Sequence, residues 1–112
     1  MKKTLISSLL TLAFCAPLAM AGGNVAAGKD KSASCVGCHG AEGISATGIY
    51  PNIGGQYENY LLHSLKAYKS GERQNAIMQG MVAALSEQDM EDLAAYYASL
   101  PGALKDGNVK PR

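Results

Sequence analysis

The chain has 112 residues, ten basic and nine acidic side chains, and no tryptophan, which bounds it to one small domain. Its charge is nearly balanced and no basic stripe runs along it, which argues against nucleic acid as a partner. A domain this small buries too little apolar surface to be comfortably stable alone, so a disulfide, a metal or a cofactor should supplement its core.

Residues 1–21 read as a secretory signal peptide. Met1-Lys2-Lys3 is basic, 5–16 is mostly apolar, and Ala19-x-Ala21 supplies the small-x-small cleavage pattern. The apolar run is too short to span a bilayer comfortably. Cys15 follows the bulky Phe14, whereas a lipid-attachment site wants a small residue there, so Cys15 belongs to the discarded segment. The expected division is signal peptide 1–21 and domain 22–112, located in the periplasm with no stable membrane insertion after cleavage. Without Lys2 and Lys3, eight basic side chains face nine acids, a protein charge of −1. The single phenylalanine, Phe14, leaves with the signal.

Residues 22–36 predict a weak helix. Val25, Gly28, Ser32 and Val36 fall near one face, and their small size suggests a close helix crossing rather than a deep apolar stripe. Residues 37–56 predict a loop with six glycines and Pro51. So long a loop in a compact domain is usually functional, and wrapping a bulky cofactor would explain it. Residues 57–70 predict an amphipathic helix with Tyr57, Leu61, Ser64, Leu65 and Tyr68 on one face and Gly71 as its C-terminal stop. Residues 72–85 predict a connection with a short helical turn over 76–81. The last helix is the best marked. Ser86 is its N-cap, Asp89 its capping-box acid, Leu85 and Met90 its staple pair, and Pro101-Gly102 its stop. Met90, Leu93, Ala94, Tyr97 and Leu100 make its buried face. The tail 103–112 is expected to fray. No strand signal and no repeat is present, so the expected fold is all-α.

Cys35-Val36-Gly37-Cys38-His39 is the informative segment. C-x-x-C-H is the attachment signature of c-type haem. Two thiols three residues apart, at a helix end, can reach the two vinyl groups on one porphyrin edge. His39 is then carried to the iron as the proximal axial ligand, and Gly37 leaves room for the ring edge. A plain disulfide or a redox pair competes with this reading, but a redox pair wants a βαβ context that the sequence lacks. Zinc held by Cys35, Cys38, His39 and His63 competes too, but adjacent Cys38 and His39 do not fit the usual paired spacings.

An iron that only exchanges electrons needs a second axial ligand, and a methionine thioether suits one. Met78 and Met81 are the candidates, on the connection before the last helix. Met90 lies on a packing face and reads as core. His63 falls on the polar flank of its helix and reads as solvent-facing. A proximal histidine is usually held by a hydrogen bond from its other ring nitrogen to a backbone carbonyl. Pro51, in Tyr50-Pro51-Asn52-Ile53-Gly54, is a stiff segment whose carbonyl can be aimed.

With these residues in place the chain resembles a class I cytochrome c. It is especially similar to one domain of the di-haem bacterial cytochromes of the c(4) type and to their small mono-haem relatives. The resemblance rests on Gly28 seven residues before Cys35, Cys38-His39-Gly40, Pro51 to Gln56, Tyr60-Leu61, Tyr68-Lys69-Ser70-Gly71, Met78-Gln79-Gly80-Met81, and Leu85-Ser86 with Asp89 and Asp92. It implies a small class I cytochrome c fold whose N-terminal helix, around Gly28, crosses the C-terminal helix, around Tyr97. It also implies that Pro51 accepts the hydrogen bond of His39 and that the first methionine, Met78, binds iron. The expected cofactor is one covalent haem c on Cys35 and Cys38. The expected role is a periplasmic mono-haem electron carrier, not an enzyme, in transient contact with redox protein donors and acceptors. An electron-accepting subunit of a dehydrogenase or oxidase complex is the second reading. An enzyme or gas sensor with an open iron site is the third.

Overall fold

The computed structural model describes residues 22–102. The expected signal peptide 1–21, with Cys15, and the tail 103–112 lie outside the described residues. Five helices make the fold: α1 Val25–Lys31, α2 Ala33–His39, α3 Glu58–Ser70, α4 Ala76–Val82 and α5 Glu87–Ser99. The described residues contain no strand, and none of their helices is long and apolar enough to cross a membrane.

The predicted helix over 22–36 is two helices. Asn24 caps α1 by accepting the Ala27 N–H at 2.9 Å. At Ser32 the ladder tightens: the Ser32 N–H and hydroxyl both donate to Lys29 O, at 3.2 and 2.7 Å. A serine hydroxyl that competes for a backbone acceptor in this way interrupts a helix, and propensity alone does not reveal it. α2 then runs on through the whole C-x-x-C-H segment to His39, where Gly40 ends it with φ +82°.

α1 lies across α5 at van der Waals distance because Gly28 has no side chain. A Cβ at Gly28 would stand 2.0 Å from Asp92 O and 2.7 Å from the Tyr96 Cβ. The crossing therefore centres on Asp92 and Tyr96, not on Tyr97 as expected. Tyr97 is one helical step of 100° further round, turned toward the interior cleft. Polar bonds pin the crossing. The Asp92 carboxylate, 4% exposed, accepts from the Asn24 N–H at 2.8 Å, Lys31 Nζ at 2.6 Å and Gln88 Nε2 at 2.9 Å. Lys31 also reaches Asp89 at 2.7 Å.

α5 forms as the sequence indicates. Ser86 and Asp89 make a reciprocal capping box, with bonds of 3.1 and 2.8 Å. Leu61 of α3 packs with Leu93, Ala94, Tyr96 and Tyr97 of α5 to make the core, and Leu65, Leu85 and Ile53 pack against it. Tyr57 leaves the predicted buried face of α3. It is the helix N-cap and is largely exposed. Lys69 of α3 donates to Ala83 O and Leu85 O beyond α4, tying that short helix down. The long loop is fastened at both ends. Ile53 and Gly54 donate to Gly43 O at 2.8 and 2.9 Å, and Gly55 donates to Tyr97 O at 2.8 Å. Gly43, at φ +70°, permits this closure, since a Cβ there would meet Gly54 N at 2.4 Å.

Candidate haem site

Two adjoining clefts, of about 220 and 190 Å³, open between α2, the 40–57 loop, α3, α4 and α5. They share Cys35, His39, Pro51, Tyr68 and Met78, so they are two sides of one slot. α2 delivers Cys35, Cys38 and His39 to it from a single helical turn. Both cysteines are half-buried free thiols, so the disulfide alternative is not what the structure shows. His39 is buried, 8% exposed. Its Nδ1 lies 2.9 Å from Pro51 O. A carbonyl can only accept, so Nδ1 carries the proton and Nε2 keeps its lone pair for another partner. Asn52 anchors the loop beside Pro51 by accepting the Ser45 N–H at 2.9 Å.

On the opposite side, α4 places its methionines differently. Asn75 caps the helix by accepting the Met78 N–H at 3.0 Å, which fixes where that residue starts its turn. Met78 is half-buried and lines both clefts. Met81, the other candidate, is placed differently. It is 41% exposed and touches only the rim of the second cleft, about one turn further along the same face of a short helix. Met90 is buried in the core and His63 is exposed, each as the sequence indicated. Among the described residues no cluster of three or more His, Cys, Asp or Glu side chains could hold a metal ion, which leaves the zinc alternative without its ligand set.

Sequence reasoning missed two side chains at the slot. Arg73 sits at its mouth, with its guanidinium carbon 4.8 Å from the Tyr68 ring centroid and Nη1 3.4 Å from Ser64 Oγ. Its one signal was to be a lone cation in the connection between two apolar stretches. Tyr97 was read as ordinary core, but its phenol reaches the slot. Burial pushes its pKa well above the usual tyrosine range, so it keeps its proton.

The residues present fit a haem. Two free thiols and an oriented imidazole stand on one wall, a thioether on the other, and the space between is lined by Leu61, Leu65, Ile53, Leu93 and Ala94. Such a slot defines a covalent haem-binding module, and the comparisons with known proteins agree. The family model described as Cytochrome c matches residues 25–101. Cytochrome c-554(548) of Halomonas halodenitrificans is 48% identical over 80 residues, which cover 69% of this chain and 96% of that one. Cytochrome c4 of Pseudomonas aeruginosa is 46% identical over 99 residues, covering 88% of this chain and 49% of that one. The thiosulfate dehydrogenase electron acceptor of Thiomonas intermedia is 43% identical over 77 residues, covering 67% and 35%. The crystal structure of reduced recombinant cytochrome c4 from Pseudomonas stutzeri superposes with a TM-score of 0.69 at 40% identity, covering 71% of this chain and 47% of that one. The chain thus spans about half the length of the cytochrome c4 relatives it matches.

The chain belongs to the cytochrome c family, a family of electron carriers. Its domain binds covalent haem c, and Cys35 and Cys38 fit the C-x-x-C-H motif.

Proposed function

We propose that this protein is a periplasmic single-electron carrier, exported by residues 1–21 and functional as the domain beginning at Gly22. The observation that carries the reading is the bond from His39 Nδ1 to Pro51 O, which leaves Nε2 free inside a slot that also holds Cys35, Cys38 and Met78. In this assignment Cys35 and Cys38 would attach the haem, His39 Nε2 and the Met78 thioether would hold its iron, and Pro51 orients His39. Haem supplies a reversible one-electron couple. The chain's own residues do the rest. Pro51 and the α2 helix hold His39 in one rotamer and one tautomer, so little rearranges when the charge at the site changes. The apolar walls keep water away. Met78, a soft thioether on a capped helix, would take the remaining iron position and so keep exogenous ligands out.

Partners would be redox proteins in transient contact at the rim of the slot. That rim, around Val36, Gly37 and 78–81, is bordered by the exposed apolar side chains of Ile49, Ile77 and Met81. The name of the Thiomonas relative favours a second reading, in which the chain takes electrons from a dehydrogenase as its dedicated acceptor. An absorption spectrum of periplasmic protein, oxidised and reduced, tests the assignment. Six-coordinate low-spin iron, with haem that stays on the denatured chain and a mature N-terminus at Gly22, is the expected result. Extractable haem, high-spin iron or a chain retaining Cys15 would refute the corresponding part. A nanomolar complex with one dehydrogenase would favour the dedicated acceptor over the free shuttle.

A further inference from the structure

Tyr97 carries a buried hydroxyl that electron carriage, as assigned above, does not use. The residue is 4% exposed and its hydroxyl is the one buried side-chain polar atom among the described residues with no hydrogen-bond partner. Such orphans are rare in native interiors and call for a physical explanation. The ring is packed in place, so a partner has to be brought to the hydroxyl. Its ring edge packs where a Cβ at Gly43 would stand 3.1 Å from Cδ1, and its backbone carbonyl is tied to the Gly55 N–H at 2.8 Å.

Cys35 packs against the cluster that holds Tyr97 and lines the same slot, and Ser32 lies on the same helical turn as Cys35. Ser32 Oγ donates to Lys29 O at 2.7 Å and keeps its lone pairs, so it is a competing acceptor that a sulfur-specific readout distinguishes. Cys35 is the first cysteine of the attachment motif and lines both sides of the slot. A thiol beside a phenol makes an ambiguous pair, because each group can both donate and accept. A thioether sulfur has no proton and can only accept, and the phenol keeps its own proton. The two groups become complementary once Cys35 is alkylated.

We propose that Tyr97 is a positioning residue of the haem site, whose hydroxyl donates to the Cys35 sulfur when that sulfur is bonded to the haem edge. The inference rests on the haem reading given above. It has an electrical consequence. An O–H aimed at the attached sulfur puts the positive end of its dipole at the haem periphery, which favours the state holding one more electron and raises the potential.

The test uses the haem-loaded protein and two variants, Tyr97→Phe and Tyr96→Phe. Tyr96 is an adjacent buried ring, centroid 5.1 Å away, that packs at the α1 crossing and does not line the slot. Retention of haem by the denatured wild-type chain is checked first, and its loss would refute the haem reading rather than this one. Redox titration should then show Tyr97→Phe with a lowered midpoint, seen as about a threefold fall in the reduced-to-oxidised ratio at fixed ambient potential. Tyr96→Phe should match the wild type. The carbon–sulfur stretching band of the wild type should also shift in heavy water, a readout that survives if Tyr97→Phe fails to fold. An unchanged midpoint in Tyr97→Phe, an equal fall in both variants, or a wild-type band indifferent to heavy water overturns the proposal.

Discussion

At the scale of single residues, the site divides into what one short segment encodes and what only folding assembles. Cys35, Cys38 and His39 were legible because the chemistry needs them on one helical turn, and a contiguous motif records that directly. Pro51 was legible as a stiff acceptor, and the structure puts its carbonyl 2.9 Å from His39 Nδ1. The choice between Met78 and Met81 was not legible in the spacing, since residues three apart share a helix face. The proposal of Met78 draws on exposure: Met78 is half-buried in the slot and Met81 is 41% exposed on its rim. Met78→Ala should therefore lower the midpoint potential by something on the order of 100 mV, within the range of ~0.8 V that axial ligation spans, and should let carbon monoxide or cyanide bind. Met81→Ala should keep the six-coordinate spectrum and cost less than about 0.5 kcal/mol, as exposed substitutions usually do. Absorption spectra with and without carbon monoxide would check both, and ligand binding to Met81→Ala alone would reverse the assignment. Tyr97 stayed hidden because a buried face is read by its hydrophobicity, and a phenol counts as apolar until its oxygen is found without a partner.

At the scale of elements, local signals were reliable where caps were strong. The α5 helix was legible down to its capping box, since Ser86 and Asp89 satisfy each other's backbone within four residues. The α1–α2 break was not, because it depends on the Ser32 hydroxyl choosing Lys29 O over solvent. The crossing of α1 on α5 was foreshadowed by Gly28, but its centre at Asp92 and Tyr96 emerged only from packing. Gly28→Ala should separate the two helices, because the new Cβ would meet a backbone carbonyl at 2.0 Å. A destabilisation of about 2 kcal/mol or more is expected from such overpacking, measurable as a lowered denaturant midpoint of the haem-loaded protein. The same crossing should make the fold acid-sensitive. Hydrogen bonding from the Asn24 N–H, then Lys31 and Gln88, lowers the Asp92 pKa from 3.8 to about 2. Lys31 likewise holds Asp89 well below the ordinary range. A folded pKa depressed in this way contributes stability that is complete above the unfolded value and is lost as pH falls from 3.8 toward 2. Asp92→Asn should be less stable than wild type at pH 7, and its stability should fall less steeply across that acid window. Parallel acid limbs for the two proteins would show that Asp92 is not a source of the pH dependence.

At the scale of the whole molecule, the organisation of the fold follows from a shortage of core. The described residues bury one compact cluster around Leu61, Leu93, Ala94, Tyr96 and Tyr97. α1 reaches α5 by backbone contact at Gly28 and by polar bonds at Asp92, not by a deep apolar stripe. The slot exposes one side of that cluster, with Leu61, Leu93, Ala94 and Tyr97 all on its wall. A domain this small gains little from its own burial, so the expectation from size, that a disulfide, a metal or a cofactor should supplement the core, takes a definite structural meaning at the slot. A haem in the slot would cover the open side of the main cluster and join α2, α4 and α5, which otherwise meet through few side chains. Replacing Cys35 and Cys38 together with Ala removes the covalent attachment and leaves every other wall residue in place. If the slot is part of the core, the unattached protein should unfold far below the haem-loaded one. For a domain of this size a loss of even ~3 kcal/mol lowers Tm by roughly 12–24 °C. Thermal unfolding followed by far-ultraviolet circular dichroism would measure this on both proteins. Adding free haem to the double variant should recover part of the lost stability through His39 and Met78, since binding to the folded state alone shifts the equilibrium by mass action. Equal melting of attached and unattached protein would mean that the helices hold themselves together and that the haem is a passenger in a finished fold.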